Sequence, residues 1–272
     1  MWMPVKSRRA KMTKKKNHPI PMIFRSIILL STALFSNKLE TLELINMAGE
    51  QRMLSQRIAK DYLYVGKNIS TMKANRQLET SMKDFVRIHK QLLNAITDPE
   101  IKNILAFVEL SSNDFKTTSK KEFNLDNAQL VLDLSESMLE GSQYIVGSLQ
   151  NSLEIKNSNV VNQAGIQRML SQRIAKYYIA YQLGIQDENT INSMKETIKQ
   201  FSQNLDTLIK NRSNTPQINI KLDDINRLWK IVYKFYNNIE KGGLPLIVFN
   251  STDKITKKMD EITKLYIAIH KQ

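Results

Sequence analysis

The chain has 272 residues, of which 42% are hydrophobic and 24% are charged, a balance typical of a globular protein rather than a disordered one. It contains no cysteine, which excludes disulfides, thiolate metal sites and thiol nucleophiles. The net charge of +14 is uneven, because eight basic and no acidic residues lie in residues 1–36. The remaining 236 residues carry only +6, so we expect no nucleic-acid partner.

The basic head precedes an apolar run of about ten residues between Ser26 and Ser36. A positive segment, a short apolar stretch and small residues near its end are typical of a secretory signal peptide, with cleavage after Ala33 or Ser36. The long basic segment leaves an uncleaved N-terminal membrane anchor as the alternative. Residues 1–36 therefore predict export to the periplasm, with or without attachment to the inner membrane.

One sequence unit is written twice. Residues 46–62 read NMAGEQRMLSQRIAKDY, and residues 162–178 read NQAGIQRMLSQRIAKYY. Fourteen of these 17 positions are identical at an offset of 116, including ten in a row. The same offset continues without gaps in weaker form, so the repeat is a whole domain rather than a short solenoid unit.

Only eight glycines and six prolines interrupt the chain, which favours long helices. The first copy predicts helices over about 39–66 and 70–97, a third that begins at Asp98-Pro99, and a fourth that begins near Asp126. In the second copy Thr215-Pro216 opens the third helix, Gly242-Gly243 closes it, and the fourth covers about 244–270. We therefore predict an all-α fold of two tandem antiparallel four-helix bundles, residues 37–155 and 156–272.

No proline separates the fourth helix of the first copy from the second motif. We expect this helix to continue into the motif helix as one long shared helix of more than 50 residues that sets the bundles end to end. The alternative is a polar loop at residues 156–159.

On a helical wheel the motif has two faces. One face is apolar (Met47, Leu54, Ile58 and Tyr62) and should close the core of its bundle. The other is small or apolar except for an Arg and a Gln one turn apart, and it comprises Ile45, Ala48, Gly49, Arg52, Gln56, Ala59 and Leu63. The second copy repeats it as Val161, Ala164, Gly165, Arg168, Gln172, Ala175 and Ile179.

An arginine on such a face would be desolvated and would need a partner. That partner could be an acid of the same chain, for which Glu109, Glu136 and Glu140 are candidates, or the side chain could reach water. The identity of the polar positions 51, 52, 55, 56, 57 and 60 in both copies instead favours recognition of a ligand. Because a guanidinium presents parallel donors, a small planar oxyanion such as nitrate or a carboxylate would match it.

The stretch INxAGxQRMLSQRxAKxY resembles the N-terminal sensor domain of type IV pilus methyl-accepting chemotaxis transducers, the PilJ type. It is also similar to the Gly-x-x-Arg-Met box of NarX-type nitrate/nitrite sensor kinases, in which the box helices of two bundles clasp one anion. The resemblance implies Gly49, Arg52, Gly165 and Arg168 as ligand residues. Gln56 and Gln172 are added because they share the same face.

The expected function is binding of a small anionic ligand outside the cytoplasm, without a transmitter domain of its own. A homodimer through the motif helices and a membrane-bound signalling partner are the expected associations. The alternative is a non-sensing helical scaffold or interaction subunit of a chemotaxis or pilus signalling system. We expect no enzyme activity, cofactor or metal site, since catalytic motifs and metal-ligand spacing are missing, and we assign the pairs Asp223-Asp224 and Asp260-Glu261 to solvated surface.

Overall fold

A computed structural model describes the backbone of residues 22–151, 158–236, 239 and 243–269, and their side chains from residue 40 onward apart from residue 158. Contacts divide the chain into residues 1–37 and residues 38–272. Residues 1–21 lie outside the described residues, so most of the basic head and the side chains of the expected cleavage region are untested. In the described part, no helix combines the length and apolar character that crossing a membrane requires.

Eight helices and no strand make up the described residues, which confirms the all-α bundle class. They are α1 (Met22–Gly66), α2 (Thr71–Ala95), α3 (Pro99–Thr118), α4 (Leu125–Asn151), α5 (Ser158–Leu183), α6 (Glu188–Ile209), α7 (Pro216–Tyr236) and α8 (Pro245–Ile269).

Several helix ends follow from local chemistry. The carboxylate of Asp98 accepts hydrogen bonds from the backbone N–H groups of Glu100 and Ile101, and Pro99 occupies the first helical position, as predicted. Asp187 caps α6 in the same manner through the N–H of Thr190. By contrast, α7 ends at Tyr236, earlier than the predicted glycine pair, of which Gly242 lies outside the described residues.

The expected long shared helix is wrong. α4 ends at Asn151 and α5 begins at Ser158, and the two helices lie side by side in opposite directions. The side chain of Asn162 donates to Gln150 at 2.7 Å, and Lys176 near the other end of α5 donates to Ser135 at 2.9 Å. The chain direction in α5 is therefore opposite to that in α4; residues 152–157, where the alternative polar loop was expected, lie outside the described residues.

Because the chain reverses, the two copies pack side by side instead of end to end. The motif helices α1 and α5 run parallel: Gly49 and Gly165 face the same guanidinium groups, and Lys67 near the end of α1 donates to the carbonyl of Gln182 near the end of α5 at 2.6 Å. Helices α4 and α8 run antiparallel to them. The division into domains 37–155 and 156–272 stays a prediction.

The repeated motif is central because it is buried on nearly every side. From Gln51 to Tyr64 every residue except Arg57 is buried, so both predicted faces of α1 are covered. Each motif helix also contacts the fourth helix of the other copy: Tyr64 donates to the carbonyl of Pro245, and Lys176 pairs with Glu136. This double coverage is what removes the polar motif residues from water.

Candidate functional site

The guanidinium groups of Arg52 and Arg168 meet between the two motif helices. Their side chains are among the largest that the described part of the chain buries completely, with exposures of 0% and 1%. A methyl group built on Gly49 would lie 3.2 Å from Nη2 of Arg52 and 3.4 Å from Nη2 of Arg168. A methyl group on Gly165 would lie 3.2 and 3.5 Å from the same two atoms. Glycine at both positions therefore provides the space that the paired guanidinium groups occupy.

Each arginine bonds across the interface to the asparagine that precedes the opposite glycine. Nη2 of Arg52 donates to Oδ1 of Asn162 at 2.8 Å, and Nη2 of Arg168 donates to Oδ1 of Asn46 at 2.9 Å. Asn46 and Asn162 are equivalent in the repeat. The exchange gives the site an approximate two-fold symmetry, in which each copy completes the site of the other.

The symmetry breaks at the second nitrogen of each guanidinium. Nη1 of Arg168 donates to Oδ1 of Asp260 on α8 at 2.7 Å and forms an ion pair with it. Nη1 of Arg52 donates instead to Oε1 of Gln143 on α4 at 2.5 Å, and Gln143 is neutral. The Nε atoms of both arginines are buried without a hydrogen-bond partner.

The electrostatics of the site reflect this imbalance. Burial, with the neighbouring charge of Arg168, lowers the pKa of Arg52 to about 9. Burial alone would raise the pKa of Asp260, but Arg168 and Lys264 outweigh it and hold this pKa below its ordinary value. Burial raises the pKa of the nearby Glu50, although Arg168 opposes the shift. Of the two buried cations, only Arg168 therefore has a carboxylate partner among the described residues.

Four of the six predicted ligand residues come together here: Gly49, Arg52, Gly165 and Arg168. The two predicted glutamines point elsewhere. Gln56 donates to the backbone carbonyl of Ser135 on α4 at 2.9 Å, and Gln172 donates to the hydroxyl of Thr256 on α8 at 2.6 Å. These amides fix each motif helix to a fourth helix one turn beyond the arginine.

The expected acidic partners are not the ones that the structure uses. Arg52 does not reach water, and its recorded side-chain partners are amide oxygens rather than Glu109, Glu136 or Glu140. Glu136 instead pairs with Arg173 and Lys176. The acid at the site is Asp260, so its assignment to solvated surface is wrong. It lies on α8, which packs directly against α5 within the second copy.

Asn46 and Asn162 are the other site residues that sequence reasoning did not select. Their signal was present, since both precede the glycine by three positions and are identical between the copies. They lie one and a half turns before the arginines, and only the length of an extended arginine side chain brings the groups together.

The fold and the site together define the class of protein. It is an α-helical bundle in which a repeated polar motif, with its paired arginines, is buried at the interface between two parallel helices. A family model described as the type IV pili methyl-accepting chemotaxis transducer N-terminal domain, PilJ, matches residues 34–104 and 152–245, more than half of the chain. The chain belongs to this PilJ family. The family comprises sensory or signalling domains of chemotaxis transducers and is not an enzyme family. No curated protein and no solved structure matches the chain.

Proposed function

We propose that the two motif helices bind one small oxyanion between Arg52 and Arg168, outside the cytoplasm, as the input to a chemotaxis or pilus signalling system. The observation that supports the proposal is the meeting of two completely buried guanidinium groups, of which only Arg168 has a carboxylate partner in the described part of the chain. Two like charges in a desolvated interface are unfavourable without an anion between them. An incoming anion would remove that penalty and so gain affinity.

The charge balance indicates the class of anion. The two guanidinium groups and Lys264 carry three positive charges, and the carboxylates of Asp260 and Glu50 carry two negative ones when ionised, which leaves one positive charge at the site. A monoanion neutralises it, whereas a dianion would leave a negative charge in a buried interface. Since guanidinium donors are planar and parallel, nitrate, nitrite and small monocarboxylates are the favoured candidates.

The N-terminal side of the site borders a cleft, from which a ligand would enter. A cleft of about 370 Å³ between α1 and α8 is lined by Asn46, which bonds Arg168 directly, and by Lys264, which bonds Asp260. A cation at the mouth would attract an anion, and movement of the Asn46 side chain would open the way to Arg168.

The rival function, a scaffold or interaction subunit that binds no ligand, has its own support. Both terminal nitrogens of Arg52 already donate to amide oxygens, so the interface is closed by groups of the chain itself. The two functions differ in whether added anion stabilises the fold. Export, a homodimer through the motif helices and a membrane-bound signalling partner stay predictions, and one chain supplies all the arginines that the proposed site needs.

A thermal-shift series on the full chain tests the proposal. Nitrate, nitrite, formate, acetate and sulfate are compared at constant ionic strength. An anion present at a hundred times its Kd stabilises the native state by about 3 kcal/mol. For a protein of this size we expect the midpoint to rise by about 5–10 °C.

The double variant Arg52→Gln/Arg168→Gln should lose this shift, while Lys102→Gln, an exposed charge on α3, should keep it. If no monoanion shifts the wild type, or if the double variant shifts equally, the proposal is wrong and the scaffold function is favoured. A larger shift with sulfate than with the monoanions would contradict the charge argument alone.

A further inference from the structure

A second cleft lies between α1, α2 and α8 and measures about 660 Å³; its lining includes Asp260 and Lys264, which also border the proposed oxyanion site, but neither of the paired arginines. This volume is within the usual range for sites that bind small organic molecules. Its lining is strongly polar and has a net formal charge of +2, since five basic residues (Arg57, Lys73, Lys254, Lys257 and Lys264) outnumber three acidic ones (Glu50, Asp253 and Asp260).

The two copies of the motif treat one arginine differently, and the difference is located in this cleft. Arg57 and Arg173 are equivalent in the repeat. Arg173 forms an ion pair with Glu136 at 2.5 Å. At the repeat position of Glu136, the second copy has Thr252, whose hydroxyl donates to the carbonyl of Val248 within α8. Arg57 therefore keeps the positive charge of Arg173, but the carboxylate of Glu136 has no counterpart at the equivalent position.

Asp253, an acid of the same cleft whose carboxylate interacts electrostatically with Arg57, is already engaged by other groups. Its Oδ1 accepts from Lys60 at 2.9 Å, and its Oδ2 accepts from Gln77 at 2.7 Å and lies 3.2 Å from Lys73. Arg57 acts on Asp253 through its charge and helps to lower the pKa of that carboxyl to about 2, against the effect of burial. Its Nε is nevertheless buried without a hydrogen-bond partner.

An unpaired acceptor lines the same cleft. The amide of Gln77 uses its nitrogen on Asp253, which leaves Oε1 buried without a hydrogen-bond partner. The cleft thus offers a buried donor on Arg57 and a buried acceptor on Gln77. Lys254 and Lys257, both exposed, add positive charge at its rim. Buried polar groups of this kind are costly unless a partner satisfies them.

We propose that this cleft is a second ligand site, which takes a small carboxylate that also carries a hydrogen-bond donor, that is, a hydroxy or amino acid. The carboxylate would receive the Nε–H of Arg57 and face the two rim lysines. The hydroxyl or ammonium group would donate to Oε1 of Gln77. The equivalent cleft between α4, α5 and α6 is smaller, about 260 Å³, and its lining has four acidic residues (Asp133, Glu136, Glu140 and Asp187) without a lysine or an arginine, so it should not bind such a ligand.

Titration calorimetry on the full chain tests the site with L-malate, L-aspartate, succinate and inorganic phosphate. We expect malate or aspartate to bind, and succinate, which has no donor beyond its carboxylates, to bind at least about tenfold more weakly, since an unpaired buried acceptor costs more than 1 kcal/mol. Arg57→Gln should weaken malate binding at least tenfold. The exposed Lys257→Gln should weaken it by a smaller factor without changing stability.

The control variants separate this site from the proposed oxyanion site. Arg52→Gln should retain malate binding, and Arg57→Gln should retain any thermal shift with nitrate. The inference is overturned if neither malate nor aspartate binds, if Arg57→Gln binds them as the wild type does, or if phosphate binds in their place. Equal binding of succinate would overturn the requirement for a donor on the ligand.

Discussion

Replacing Arg52 by methionine should stabilise the ligand-free protein. Methionine keeps the length and flexibility of the side chain but removes the buried charge. The fall in the pKa of Arg52 from its ordinary value to about 9 corresponds to a cost of roughly 4–5 kcal/mol for keeping the group charged in the fold, at about 1.4 kcal/mol per pKa unit. Losing the donors to Gln143 and Asn162 leaves two amide oxygens short of a partner, at about 1 kcal/mol or more each. The net expectation is a gain of about 1–3 kcal/mol at neutral pH, in line with other buried charges replaced by apolar groups.

The matched variant is Arg168→Met, for which the opposite sign is expected. Arg168 holds Asp260 in an ion pair, and its removal leaves a carboxylate that is one-third exposed and retains only Lys264. Partial exposure screens the loss, so we expect a destabilisation of about 1–3 kcal/mol. Urea unfolding followed by helical circular dichroism measures both variants, and equal m-values would show that the comparison is valid.

The pH dependence provides an internal check on the sign. The folded pKa of Arg52 lies below its unfolded value, so the unfolded chain binds more protons between about pH 9 and 12.5 and the penalty fades as the pH rises through that window. The stability difference between Arg52→Met and the wild type should therefore shrink above pH 9. If Arg52→Met is less stable than Arg168→Met at pH 7, the argument that Arg52 is an unneutralised buried cation is refuted.

Three further predictions concern neighbouring groups. Gly49→Ala and Gly165→Ala each place a methyl group about 3.2 Å from Nη2 of Arg52. Calorimetry should therefore show at least tenfold weaker oxyanion binding, while the free energy of unfolding changes by only about 1 kcal/mol. Unchanged binding would contradict the need for glycine beside the guanidinium groups. Burial raises the pKa of Asp61 to about 6, above its value in the unfolded chain, so ionisation of Asp61 lowers the stability progressively from about pH 4 to 6. Asp61→Asn should therefore stabilise the protein at pH 7.5 by about 1–3 kcal/mol but not at pH 4. Equal effects at both pH values would refute the destabilising role of the Asp61 charge. Glu136→Gln removes the carboxylate that neutralises the buried Lys176, so the free energy of unfolding measured in urea should fall by about 3–5 kcal/mol. Because the pKa of Glu136 is lowered to about 2, the wild type should lose this stabilisation as the pH falls from about 4 to 2. A loss under about 1 kcal/mol at pH 7 would be evidence that Glu136 does not stabilise Lys176.

The helices themselves were accessible from the sequence, because caps and breakers act locally. Asp98 and Pro99 define the start of α3 within three residues, and Gly66 ends α1 as predicted. The antiparallel arrangement of α4 and α5 could not be predicted from the sequence. Residues 125–183 contain no proline, so a continuous helix and an antiparallel pair share the same local pattern. Distant contacts decide between them, such as the bonds of Lys176 to Ser135 and Glu136.

In the site, too, the residues of the motif could be predicted from the sequence, whereas their partners on other helices could not. The doubled motif identified the glycines and arginines, because identical polar positions in two copies are a strong signal. The partners of the arginines were not predictable in the same way. Gln143 and Asp260 are not equivalent in the repeat, since position 143 corresponds to Met259. Each acts because its helix lies against a particular arginine, which is a property of the packing.

Joining both motif helices in one polypeptide has consequences for how such a site can evolve and operate. In a receptor made of two identical chains, every substitution at the symmetric interface occurs twice, so its carboxylates must come in even numbers. Here Asp260 faces one arginine and Gln143 the other, which gives an odd residual charge that a symmetric pair of chains could not have. The partner helix is also present at a high effective concentration that dilution does not change. If the proposed oxyanion site binds its ligand, its occupancy should therefore depend on the concentration of the ligand and not on that of the protein.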